Sequence, residues 1–137
     1  MKKIWFAVLV LAALVLSACG GGSGGNDSDA EVTLAPVPAE FAGQTNPLGA
    51  DSATEGAEIF KNNFVACHGE QGHGDGPAGA SLNPQPKNLA ELASAVGDDY
   101  LFWRISAGKP GTSMVAWKGI LTDEQIWQLV SFIRTLK

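Results

Sequence analysis

The stretch Phe64-Val65-Ala66-Cys67-His68 governs how the rest of the chain reads, because it sets a thiol directly beside an imidazole at the end of a helical pattern. Upstream, Ile59, Phe60 and Phe64 form an apolar stripe at helical spacing. Ser52-Ala53-Thr54-Glu55 fits a capping box, so a helix is expected to start there and to run to about Ala66. Downstream, residues 69–86 are rich in Gly and Pro and read as loop. By itself a Cys-His pair is a weak signal, and a buried thiol next to a surface histidine is the commoner arrangement.

The surrounding elements give the pair its context. Thr122 and Gln125 form a second capping box, and Ile126, Leu129, Val130, Ile133 and Leu136 share one face of the helix that follows. Asp98 or Asp99 is expected to cap a shorter helix through Tyr100, Phe102, Trp103 and Ile105, stopping at Gly108 near Pro110. Residues 89–96 add a turn or two. Trp103 and Trp127 read as core. No segment alternates as a strand does, so residues 51–137 form an all-α domain of three to five short helices. Such helices enclose little core, and small domains of this kind need a metal, a cofactor or a staple at the centre.

The full chain has 137 residues, enough for one small domain with extensions. Nine basic side chains face 14 acidic ones, a balance that repels phosphate backbones and excludes nucleic-acid binding. Two cysteines and two histidines are too few for a zinc finger or a disulfide scaffold. Lys2 and Lys3 precede an uncharged apolar run over residues 4–16, shorter than the ~20 residues a membrane-spanning helix needs. Residues 1–18 are therefore expected to be a secretory signal, an uncleaved anchor being the alternative. Leu16-Ser17-Ala18-Cys19 resembles a bacterial lipobox, which implies cleavage before Cys19 and its lipidation. Residues 19–50, rich in Gly, Ser and Pro, read as a tether with a reach of roughly 30 Å. The alternative is that residues 32–41 pack onto the domain as an irregular arm.

Attachment of c-type haem uses Cys-x-x-Cys-His, and this chain keeps the second thiol and the histidine but carries Phe64 at the first position. Further pieces agree in order and spacing. They are Gly56 with Phe60, Gly-His-Gly-Asp-Gly-Pro-Ala-Gly at residues 72–79, Leu82-Asn83-Pro84, Arg104-Ile105, Gly108-Lys109-Pro110-Gly111-Thr112-Ser113-Met114, Trp117 and the closing residues 121–136. Across residues 51–137 the chain resembles a bacterial class I cytochrome c. The resemblance implies the small class I cytochrome c fold around one haem c, with His68 and Met114 as axial iron ligands and Cys67 as a single thioether link. It also implies that the Pro77 carbonyl orients the His68 imidazole, and that Phe60 and Phe132 meet between the first and last helices with Gly56 permitting close approach. Arg104 and Trp117 are candidate neighbours of the haem propionates, the alternative being that they are simply surface and core residues. Phe64 in place of a thiol is similar to euglenozoan mitochondrial cytochromes c, and Val115 replaces the Pro that commonly follows the ligand Met.

The function implied is single-electron transfer by a membrane-tethered shuttle on the outer face of the cytoplasmic membrane. Its partners would be a quinol-oxidising complex and a terminal oxidase or other acceptor, met by an acidic surface that favours a basic docking site. An electron carrier of this kind is not an enzyme. Two readings compete: a haem-based gas sensor or weak peroxidase with a labile Met114, and a haem-free lipoprotein that keeps the fold as an interaction module.

Overall fold

The computed structural model describes residues 34–137. The expected signal segment, Cys19 and the first part of the tether lie outside the described residues. The domain is all-α: α1 (Ala53–Asn63), α2 (Val65–His68), α3 (Leu89–Ala95), α4 (Asp98–Ala107) and α5 (Asp123–Ile133), with 3-10 turns at Ala50–Ser52 and Gly79–Ser81. Among the described residues the only β feature is an isolated bridge between Lys118 and Leu121.

α5 forms as its sequence predicts. Thr122 Oγ1 accepts from the Gln125 amide at 3.2 Å while the Gln125 side chain accepts from the Thr122 amide at 2.9 Å, which closes the capping box. Its apolar stripe is the centre of the core, with Ile126, Leu129, Val130 and Ile133 all buried. α1 lies directly against it. A Cβ added at Gly56 would stand 2.0 Å from the Gln128 carbonyl oxygen, so only glycine allows this approach, and Phe60 meets Phe132 one turn further on at 5.0 Å between ring centroids. On the other flank Phe102 of α4 stacks on Trp127 at 4.1 Å. Trp103, expected in the core, is instead only half-buried, because α4 turns its buried stripe through Leu101, Phe102 and Ile105 and leaves the next position at the rim.

Two helix starts and one helix end differ from expectation, the starts because other partners take the capping groups. Ser52 is already helical in backbone (φ −68°, ψ −7°), the chain having entered through the 3-10 turn. Its hydroxyl bonds the Gly49 carbonyl at 2.7 Å and Ser131 Oγ at 2.8 Å, so no capping box forms there. The N-cap of α4 is Gly97 rather than Asp98 or Asp99. Asp98 instead receives Arg134 Nε at 2.9 Å and the Asn46 amide at 3.2 Å, and Asp99 receives the Gly43 amide at 2.9 Å. Arg134 also donates to the Ala93 and Val96 carbonyls, so one side chain ties the end of α5 to the end of α3 and the start of α4. α1 ends at Asn63 rather than Ala66, and the chain breaks at Phe64 (φ −118°) before resuming as α2.

The tether is shorter than expected. Residues 35–50 belong to the compact unit Ala35–Lys137. Phe41 lies 6.2 Å from the Phe102 ring, and Asn46 Nδ2 donates to the Trp127 carbonyl at 3.0 Å and to Ser131 Oγ at 2.8 Å. Within the described part of the expected arm Phe41 packs onto the domain, and beyond it Asn46, with two side-chain hydrogen bonds, extends the packing into residues expected as tether.

Gly56→Ala is expected to pry α1 from α5 and to lower stability by about 1–3 kcal/mol, as overpacking of a fitted contact does. Gly49→Ala, where an added Cβ meets nothing within 4 Å, is expected to be near neutral. Denaturant titration of both variants checks the pair of outcomes.

Candidate haem site

The candidate site begins at the break between α1 and α2. The Phe64 carbonyl accepts the amides of Cys67 at 3.1 Å and His68 at 2.8 Å, which winds Cys67-His68 into a single helical turn. Gly69 follows at φ 77° and ends that turn. The glycine-rich loop then folds back over it. The Ala78 amide donates to the Ala66 carbonyl at 2.8 Å, and the Gly74 amide to the His68 carbonyl at 2.8 Å. Added Cβ atoms at Gly76 and Gly79 would stand 2.5 Å from the Val65 carbonyl oxygen and 2.1 Å from that of Cys67. The glycines of residues 72–79 are thus the means by which a loop lies flat on the exposed carbonyls of α2 and immobilises the Cys-His turn.

Cys67 is a free, half-buried thiol. Nδ1 of His68 is buried and has no hydrogen-bond partner. Burial pushes the His68 pKa below its ordinary value of 6.5, and the nearby Lys87 backbone opposes that push without reaching ordinary hydrogen-bond geometry. The result is a neutral imidazole, the form that binds a metal. Aromatic rings surround it: Phe60 at 6.4 Å and Phe64 at 6.5 Å, with Trp117 4.7 Å from Phe64.

Pro77 does not take the place expected of it. Its carbonyl makes no hydrogen bond to His68 Nδ1, and the residue is exposed. Its neighbours Gly76 and Ala78 are drawn onto the carbonyls of Val65 and Ala66, so the segment is held along the backbone of α2 instead of against the ring.

Met114 sits half-buried in the loop joining α4 to α5. That loop is a closed turn. Lys109 N–H donates to the Met114 carbonyl at 3.0 Å, and Thr112 Oγ1 accepts the Met114 amide at 3.2 Å. At its root, an added Cβ on Gly108 would stand 2.6 Å from the Met114 carbonyl oxygen, and Trp117 N–H donates to the Ile105 carbonyl at 3.1 Å. Arg104 lies with its guanidinium 3.8 Å over the Trp103 ring, bonded to Tyr100 Oη at 3.4 Å and the Gly108 carbonyl at 3.5 Å. It has no carboxylate partner among the described residues, whose one ion pair is Arg134–Asp98. His73 is exposed, with Nε2 3.3 Å from the Lys137 carbonyl oxygen.

The residues present fit a haem. A buried imidazole nitrogen without a partner, a free thiol on the preceding residue and a thioether on a separate loop form the donor set that the group requires. The sequence reading missed Asn88, whose Oδ1 accepts the Ala90 and Glu91 amides at 2.9 and 3.3 Å and so starts α3 immediately after Lys87. The signal was there in Asn88-x-x-Glu91, an N-cap with an acid three residues on.

A model of the cytochrome c family matches residues 53–137. Among curated proteins the chain is 33% identical over 118 residues to the cbb3-type cytochrome c oxidase subunit FixP of Bradyrhizobium diazoefficiens, covering 85% of this chain and 38% of that protein. It is 31% identical over 86 residues to cytochrome c6 of Thermosynechococcus vestitus, covering 63% of this chain and 70% of that one. The chain therefore spans little more than a third of the FixP relative and most of the shorter cytochrome. Among solved structures, a chain of the Kuenenia stuttgartiensis reducing HAO-like protein complex superposes with a TM-score of 0.57 at 21% identity, over 66% of this chain and 47% of that one. The KustC0563 c-type cytochrome superposes with a TM-score of 0.52 at 24% identity, over 60% of this chain and 96% of that one. Both share the fold.

Gly79→Ala is expected to lift the glycine loop from the Cys67 carbonyl and to cost about 1–3 kcal/mol of stability. Hydrogen exchange checks where the loss occurs, since the Ala78 amide, bonded to the Ala66 carbonyl, is expected to lose protection before the amides of α5 do.

Proposed function

The chain belongs to the cytochrome c family, and on that premise we propose that it is a one-electron carrier built around a single haem c. Cys67 would supply the one thioether link, and His68 and Met114 would hold its iron. When bound, the group supplies a ferrous/ferric couple. The observation that carries this reading is the buried, partnerless Nδ1 of His68, in the residue directly after a free thiol.

The chain's own residues tune that couple. Burial keeps the His68 ring neutral. A neutral imidazole together with a soft thioether would favour the reduced state and raise the potential. With His68 and Met114 both committed to holding the group, its iron would serve electron transfer rather than the binding of oxygen or a substrate. Arg104, preorganised on Trp103 and free of a carboxylate partner, is the natural donor to a propionate, with Trp117 a second neighbour. The FixP relative is a subunit of a cbb3-type cytochrome c oxidase, which supports a terminal oxidase as acceptor; a quinol-oxidising complex would be the donor. Export under the signal of residues 1–18 and lipidation at Cys19 would hold the carrier to the membrane, facing the periplasm or cell exterior.

A pyridine haemochrome spectrum of the purified protein is expected to show one haem with one saturated vinyl group, and Phe64→Cys is expected to move the band to the position of two. Met114→Ala is expected to lower the reduction potential and to let carbon monoxide bind the reduced protein. An unchanged spectrum and potential in Met114→Ala would remove Met114 from the ligand set.

A further inference from the structure

We propose that Phe64 is a positioning residue for Met114. Its ring, acting through Trp117, holds the loop of residues 108–119 against the turn that carries Cys67 and His68. The functional consequence rests on the reading of His68 and Met114 as a ligand pair, whereas the mechanical coupling stands on the contacts alone.

Phe64 touches both ligand-bearing segments. Through its backbone it accepts the amides of Cys67 and His68. Through its ring, only 6% exposed, it stacks on Phe60 at 5.8 Å and 9° and meets Trp117 at 4.7 Å and 35°. Trp117 stands three residues after Met114 and governs how the loop leaves. Its carbonyl takes the amides of Ile120 and Leu121, each at 2.9 Å, and its own amide is fixed to Ile105 on α4.

Lys118 adds one bond to α4, from its amide to the Ser106 carbonyl at 3.1 Å, whereas the loop between the two roots has little hold on the helices. Residues 109–114 bond to one another through Lys109 and Thr112. Val115 and Ile120 are 58% and 66% exposed and anchor nothing. At position 115 the chain also lacks the ring of a proline, which would stiffen the backbone just after Met114. The loop is therefore fastened at two roots, Gly108 and the Trp117–Lys118 pair, whose amides bond the Ile105 and Ser106 carbonyls of α4, and at the second root the Trp117 ring rests on an aromatic face at position 64. A thiol there would leave Trp117 without that face. The side chain that forgoes a second thioether link thus supplies the grip on the opposite ligand loop.

The test uses the full protein and the exposed Lys118–Gly119 bond as a trypsin site on the loop. Phe64→Leu keeps an apolar side chain of similar volume and removes the ring. Phe64→Tyr keeps the ring. Phe132→Leu weakens the α1–α5 contact without touching Trp117. Phe64→Leu is expected to speed cleavage at Lys118 about tenfold over Phe132→Leu, with Phe64→Tyr close to the parent, which is the scale of one lost aromatic pair. Trp117→Leu approaches the same contact from the other side and is expected to match Phe64→Leu. In the reduced haem protein, carbon monoxide uptake is expected to rise in Phe64→Leu and to stay at the parent rate in Phe132→Leu. Equal cleavage in Phe64→Leu and Phe132→Leu, or parent-like cleavage in both Phe64→Leu and Trp117→Leu, would overturn the proposal. A parent protein that carries no haem would overturn the ligand reading, and the cleavage pattern would still judge the coupling by itself.

Discussion

The single helical turn from Phe64 to His68 is the constraint on which the domain depends. It is four residues long as a helix, far below the length at which a helix holds itself together in water. Its persistence comes from outside. The Phe64 ring is buried between Phe60 and Trp117, the glycine loop covers the carbonyls of Val65, Ala66 and Cys67, and α1 beneath it is fixed to α5 at Gly56. A side chain at any of these glycines separates a layer from the turn. The thiol and the imidazole therefore occupy set positions because backbones approach one another where no Cβ intervenes.

That arrangement concentrates unsatisfied groups where apolar packing should be. Two buried side-chain polar atoms among the described residues lack partners, His68 Nδ1 and Ser106 Oγ, in a domain whose core is otherwise apolar. An orphaned buried nitrogen weighs against stability in a small fold. Keeping it is explicable when the nitrogen belongs to a ring whose task is ligation, since burial both removes water and holds the ring neutral. Ser106 has no comparable account: its carbonyl accepts the Lys118 amide, and its hydroxyl is simply enclosed.

Much of this was legible in the sequence because it is written locally. The α5 capping box, the Ile126 to Ile133 stripe and the stop at Gly108 all follow from spacing within one element. What was not legible depends on partners far along the chain. Ser52 and Asp98 have the right chemistry for caps but are taken by Ser131 and Arg134, which lie 79 and 36 residues away. Residues 35–50 show no helical or strand period, and distant partners settle them: Phe102 for Phe41, and Asp98, Trp127 and Ser131 for Asn46. At the site, the Cys67-His68 pair was plain, whereas the position of Pro77 was not, because it follows from two neighbouring backbone contacts rather than from the proline itself.

The most direct measurement is the mass of the mature protein and of its proteolytic peptides, taken under denaturing conditions from the cell that makes it. The account predicts one haem retained covalently, with the added mass confined to the peptide that contains Cys67. A Cys67 peptide of unmodified mass, from a protein that is folded and present in quantity, would contradict it.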